Sequence, residues 1–190
     1  MMRARTALTI FLLLVALCCG QEGFAQQFAV RSNALATGLL QTPDLGLEIV
    51  AGEHSSVAFS VAGHYMPYGL NTKLITVQPQ YRYWFSGRPL NREYVGVAAL
   101  YAGYDIRLND NIYNGNAAGA GITGGYVLSM GKRWGIEFSG GLALMFFNQK
   151  RYNRSDSYED YYAGDGDWAN SKGYCLIPFN IGVTFIYIIK

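Results

Sequence analysis

Five ionisable residues, Arg31, Glu48, His64, Arg82 and Glu137, carry most of the chemistry this sequence offers, each within its own stretch of alternating bulky and small or polar residues. Successive side chains on a strand point to opposite faces. All five therefore share the face opposite the bulky residues. Unpaired charge in a narrow interior is costly, so these groups are expected to pair with one another or with trapped water, centred on Glu48, Arg82 and Glu137. An open interior would turn the same set into a gated pore or proton path; a filled one makes it a salt-bridged plug, the reading adopted here.

Hydrolytic chemistry needs a serine activated by a histidine that a carboxylate orients. The sequence holds only His54 and His64 for this. His54 falls in a turn, and His64 has Ser60 on its own face but no GxSxG-like elbow. No catalytic residue is assigned, and the chain reads as a non-enzyme, with a lipid-modifying enzyme as the alternative. Asp165-Gly166-Asp167 resembles a fragment of a calcium loop without the further spaced ligands, so neither a metal site nor a cofactor is expected.

Eight alternating segments must position these groups: Phe28 to Gly38, Leu45 to Gly52, Ser56 to Tyr68, Lys73 to Ser86, Arg92 to Arg107, Ala117 to Met130, Trp134 to Arg154, and Tyr174 to Ile189. Short connections at 52–55, 87–91 and 131–133 alternate with longer ones at 39–44, 69–72, 108–116 and 155–173. That layout predicts an all-β, eight-stranded, antiparallel up-and-down transmembrane β-barrel, with short turns toward the periplasm and long loops outward. Each segment is expected to reach the about 9 to 11 residues that a tilted strand needs to span a bilayer, the second least comfortably. Pro79 and Pro178 lie within two of the segments and predict local bulges.

A soluble, lipocalin-like barrel that binds a small ligand is the architectural rival, and it would hide its apolar face. The sequence favours the inverse. In the fourth segment Ile75, Val77, Tyr81, Tyr83 and Phe85 alternate with Thr76, Gln78, Gln80 and Arg82. In the last, Cys175, Ile177, Phe179, Ile181, Val183, Phe185, Tyr187 and Ile189 form one apolar stripe. Trp84, Phe85 and Trp134 near one end, and Tyr65, Tyr101 and Phe146 near the other, read as the aromatic girdles of two membrane boundaries.

At the N-terminus, Arg3 and Arg5 precede an apolar run from Ala7 to Leu17 and a small-residue site at Gly23-Phe24-Ala25. Residues 1–25 read as a signal peptide, and 26–190 as the barrel. Lipid attachment at Cys18 or Cys19 is the competing cleavage. Removing 1–25 takes Arg3, Arg5 and Glu22 from the 15 basic and 13 acidic residues. The near-neutral balance that remains excludes a nucleic-acid footprint. Cys175 is then the sole cysteine, read as a small apolar residue of the outward face.

The stretch SNALATGLLQTPDLGLEIVAG, the VQPQYRYWF block and REYVGVAALYAGYD resemble a recurring family of small bacterial outer-membrane barrels, OmpA- or OmpX-like in layout and defined only as a domain of unknown function. Asn33, Leu45-Gly46-Leu47-Glu48, Gln78-Pro79 and Arg82-Tyr83-Trp84 carry the likeness most sharply. Where related sequences tend to carry histidine in the fifth segment, this chain has Glu93 and Ala98. The resemblance implies a signal-bearing single barrel in the outer membrane. Asn180, Gly182, Phe185 and Tyr187 are also similar to the C-terminal assembly signal of outer-membrane proteins, which implies recognition by the barrel-assembly machinery. The remaining partners expected are outer-membrane lipids, lipopolysaccharide, and a surface ligand or envelope protein at the acidic, tyrosine-rich loop 155–173.

Overall fold

The computed structural model describes residues 27–108, 111–153 and 171–189; the predicted signal peptide and most of the 155–173 loop lie outside them. Eight strands follow in order: β1 (Phe28–Asn33), β2 (Asp44–Val50), β3 (Ser55–Tyr65), β4 (Thr72–Trp84), β5 (Arg92–Leu108), β6 (Asn111–Met130), β7 (Trp134–Asn153) and β8 (Ser171–Ile188). Each pairs antiparallel with the next, and β1 pairs with β8, so the up-and-down sheet closes on itself.

Alternation decides what faces the axis. One rung of the ladder runs Leu45, Val61, Val77, Tyr101, Ala118, Phe146, Tyr174, and its side chains point outward. A rung five residues away runs Ser56, Arg82, Gly96, Thr123, Gly141, Phe179, and its side chains point inward. Leu47, Phe59, Ile75, Val97, Ile122, Leu142 and Phe185 are all exposed, whereas Arg31, Glu48, Gln80, Arg82, Thr123 and Glu137 are all buried. The apolar and polar surfaces are inverted relative to a water-soluble barrel.

The ring is lopsided. β1 and β2 have 6 and 7 residues, while β6 and β7 have 20 each. Both short strands fall below the length expected for every segment. The first segment was expected to stay extended to Gly38; instead helix α1 (Ala34–Gly38) begins after Asn33. Asn33 Oδ1 accepts from the backbone N–H groups of Leu35 and Ala36, at 3.0 and 3.1 Å. This caps a run of good helix formers, Ala-Leu-Ala, so the local preference for helix wins over alternation.

Other expectations also change. The predicted loop 108–116 is mostly strand, since β5 runs to Leu108 and β6 starts at Asn111; its asparagines and glycine suggest a turn, but long pairing with β5 and β7 overrides that preference. Pro79 sits opposite Phe59 with no register shift. The irregularity near Pro178 falls two residues later, where Asn180 adopts a left-handed φ of 52° and the β7–β8 register slips. Above this bulge Tyr174, Leu176 and Pro178 face out and Cys175, Ile177 and Phe179 face in; below it Ile181 and Phe185 face out. The last strand therefore carries no single apolar stripe, because one extra residue reverses the faces.

Candidate functional site

A charged layer crosses the axis where β1, β2, β4 and β7 point inward. Arg31 Nη1 donates to Glu48 Oε2 at 3.1 Å and Arg31 Nη2 to Glu137 Oε1 at 2.6 Å. Arg82 Nη1 bridges the same two carboxylates, at 3.2 Å to Glu48 Oε2 and 2.9 Å to Glu137 Oε2. Two positive and two negative groups thus form a neutral ring of ion pairs. Ser56 Oγ donates to the remaining Glu48 oxygen at 2.5 Å, and Tyr94 Oη to Glu137 Oε1 at 2.7 Å. Every carboxylate oxygen is engaged, the condition under which buried charge is tolerated.

Trp84, expected in the outward girdle, is fully buried inside. Its place on alternate positions with Gln80 and Arg82 dictates this, and the lumen gives its indole a partner: Nε1 donates to Ser56 Oγ at 2.8 Å. Trp84 also packs against Tyr94, 4.9 Å between centroids, and Arg82 lies over the Tyr94 ring at 4.4 Å. Tyr94 has room because position 125 is glycine: an added β-carbon there would come within 2.7 Å of the Tyr94 ring. Gln80 completes the layer, accepting from Arg82 Nη2 at 2.8 Å.

Apolar layers lie on both sides. Toward the short turns Ala29, Trp84, Leu90, Tyr94, Val127 and Ile186 form a plug, with Leu90 contributed by the β4–β5 turn. Toward the long-loop side Ala98, Ala143, Met145 and Phe179 pack together, with Leu100, Ala117 and Ile177 against them. A polar cavity of about 30 Å³, bordered by Arg31, Arg82, Gln80, Asn33, Asp44 and Asn180, adjoins the charged layer; this is room for about two waters. Arg31 Nε, Arg82 Nε and Gln80 Nε2 are buried donors without an acceptor among the described residues.

Of the five predicted lumen residues, the structure brings Arg31, Glu48, Arg82 and Glu137 together and leaves His64 apart. His64 stands near the long-loop rim, where Nδ1 lies 2.8 Å from Thr42 Oγ1. Sequence reasoning missed Ser56 and Tyr94, placed Gln80 on the polar face without joining it to the charged layer, and set Trp84 on the wrong face, although each occupies the inward register of its strand. Of the other predicted girdle residues, Phe85, Trp134, Tyr65, Tyr101 and Phe146 are all exposed. Trp134 packs on Tyr187, 4.8 Å between centroids.

The four residues of the predicted C-terminal signal occupy different places in the fold. Phe185 is exposed, and Tyr187 lies beside Trp134 on the outside. Asn180 forms the bulge, its Nδ2 donating to Thr123 Oγ1 at 3.0 Å while its carbonyl accepts from Ser139 Oγ at 2.8 Å. Gly182 leaves space for the Asn33 side chain, since a β-carbon there would meet Asn33 Nδ2 at 2.1 Å. Asn33 in turn donates to the Ile181 carbonyl at 3.4 Å.

A family model described as "Protein of unknown function (DUF3575)" matches residues 9–189. The chain belongs to the DUF3575 family. No curated protein matches it. Among the described residues of this DUF3575 member no helix is long and apolar enough to cross a membrane, and no cluster of three or more histidine, cysteine or acidic residues could hold a metal.

Proposed function

We propose that this DUF3575 member is an integral β-barrel of the bacterial outer membrane, with the filled interior of the small OmpA- and OmpX-type barrels. It is made with a signal peptide at 1–25. Its role is structural or interactive at the cell surface, and it is neither an enzyme nor an open channel. The observation that carries this reading is the inversion: exposed bulky side chains surround the ring while the buried Arg31, Glu48, Arg82 and Glu137 occupy the axis. Such an exterior in water would exceed any apolar patch a soluble monomer ordinarily shows, whereas hydrocarbon solvates it. A closed sheet is also one of only two architectures that satisfy backbone groups in lipid.

Lipids and lipopolysaccharide surround the belt, the barrel-assembly machinery reads β8, and a surface ligand or envelope protein engages the 155–173 loop. The neutral ionic layer and the Trp84–Leu90 plug obstruct the axis to ions. Planar-bilayer recording on refolded protein tests the plug, and no steady channels are expected; reproducible unitary conductance refutes it. Gel mobility with and without boiling tests the closed membrane barrel, for which faster migration of the unboiled sample is the outcome sought. Identical migration counts against it.

A further inference from the structure

We infer that the outside of the wall over β3, β4 and β5 is a seat for one phosphorylated lipid, whose chains lie in two hollows beside Ile75 and whose phosphate meets Lys73. This rests on the membrane reading above and names one occupant of the belt. Outward side chains of the three strands fall into rungs. Tyr65, Lys73 and Asp105 share one, and Gly63, Ile75 and Gly103 the next toward the short turns. Only Ile75 carries bulk on that second rung, so the surface sinks on both sides of it. The hollow over Gly63 measures about 360 Å³ and is walled by Pro43, Leu45, Val61 and Ile75. The one over Gly103 measures about 240 Å³ and runs from Ile75 up to Lys73 and Asp105. Below them the exposed Leu45, Val61 and Tyr101 continue the apolar belt.

Charge supplies the other half of the site. Lys73 is exposed, its ammonium stands 4.9 Å from the centre of the Tyr65 ring, and it makes no ion pair among the described residues. Its cross-strand neighbour Asp105 is taken by Arg107, at 3.2 Å, so that carboxylate does not cancel the lysine. Asp44, which borders the first hollow, accepts from the Asn33 N–H on the inner face. A lysine beside a girdle tyrosine ordinarily extends to water over an even apolar surface. Here the surface beneath it is notched twice, with a single side chain between the notches. That shape fits an amphiphile with an anionic head and at least two chains, one on each side of Ile75. The long loops face outward in the membrane reading, so the phosphate at this height belongs to the lipid A end of lipopolysaccharide.

The test titrates the refolded full chain in detergent micelles with bisphosphorylated lipid A, with lipid A stripped of its phosphates, and with phosphatidylglycerol. Native mass spectrometry counts the lipid retained. One bisphosphorylated lipid A per chain is expected to persist where the other two are lost. Lys73→Gln should weaken its binding about fivefold, the worth of one basic side chain at an anionic surface, and leave the phosphate-free form unchanged. Gly103→Leu fills the second hollow, since its β-carbon would touch only Ile75, at 3.4 Å, and should weaken both forms of lipid A. Phosphatidylglycerol held as well as lipid A overturns the choice of lipid, and parent-like binding by either folded variant overturns the seat. Should Gly103→Leu fail to fold, as judged by gel mobility without boiling, Lys73→Gln decides the matter. Flotation of the parent with vesicles separates the two readings. A chain that floats but shows no preference for lipid A loses the seat alone; one that does not float loses the membrane reading and the seat with it.

Discussion

Replacing Glu137 by glutamine isolates the central claim about the lumen. The carboxylate accepts from Arg31 Nη2 at 2.6 Å, Tyr94 Oη at 2.7 Å and Arg82 Nη1 at 2.9 Å, with Arg82 Nη2 at 3.4 Å. Glutamine keeps the volume but leaves one acceptor oxygen and turns an amide donor toward two guanidinium groups. The buried layer also passes from neutral to a net charge of plus one. Breaking a buried pair from one side costs about 3–5 kcal/mol. With a urea m-value of about 2 kcal/mol per molar, the unfolding midpoint should fall by roughly 1.5–2.5 M. Tryptophan emission in detergent micelles reads the transition directly, because Trp84 is part of the layer. Adding Arg82→Met to Glu137→Gln restores neutrality, so the double variant should lose about 2 kcal/mol less than the sum of the two single losses. A Glu137→Gln midpoint within about 0.5 M of the parent, or strict additivity in the double variant, would refute the picture of one coupled ionic layer.

Two further outcomes are expected. Tyr94→Phe removes one donor from Glu137 but keeps the ring on Trp84 and Arg82; urea titration should show a loss of about 1–3 kcal/mol, clearly smaller than that of Glu137→Gln. Gly182→Ala forces a β-carbon into the Asn33 carboxamide; it should destabilise the barrel by about 1–3 kcal/mol, and Asn33→Ala in the same chain should recover part of the loss in the same titration.

Period-two alternation accounts for what the sequence makes legible here. It yields the eight antiparallel strands, and it points Arg31, Glu48, Arg82 and Glu137 to one side even though they are scattered over 107 positions, from 31 to 137. The same rule places Trp84 with Arg82, yet a tryptophan near a strand end also suits a boundary girdle, and side-chain type alone does not choose between them. The buried Ser56 hydroxyl, which accepts its N–H, becomes visible only when β3 and β4 are paired. Asn180 is harder: a left-handed residue that is not glycine carries little local signal, and the phase slip it introduces propagates to Cys175, Ile177 and Phe179. Helix α1 was readable in part, since Asn33 before Ala-Leu-Ala is a helix start signal. It is obscured by the longer alternating pattern around it. His64 has the right face but the wrong height, and alternation says nothing about height.

Unequal strand lengths give the molecule a tall side. At about 3.4 Å per residue, the 20 residues of β6 and of β7 run roughly 65 Å, which a tilt near 40° converts to about 50 Å of height. An apolar band about 25 Å tall absorbs only half of that. What is left stands like a palisade over one flank of the ring, where Gly115, Asn116, Asn148, Gln149, Ser171 and Lys172 replace the leucines below. In the proposed membrane this screen would rise among the sugars of the lipopolysaccharide and shelter the mouth from one direction. Among the described residues the opposite flank, built on the short β1 and β2, offers the lower approach.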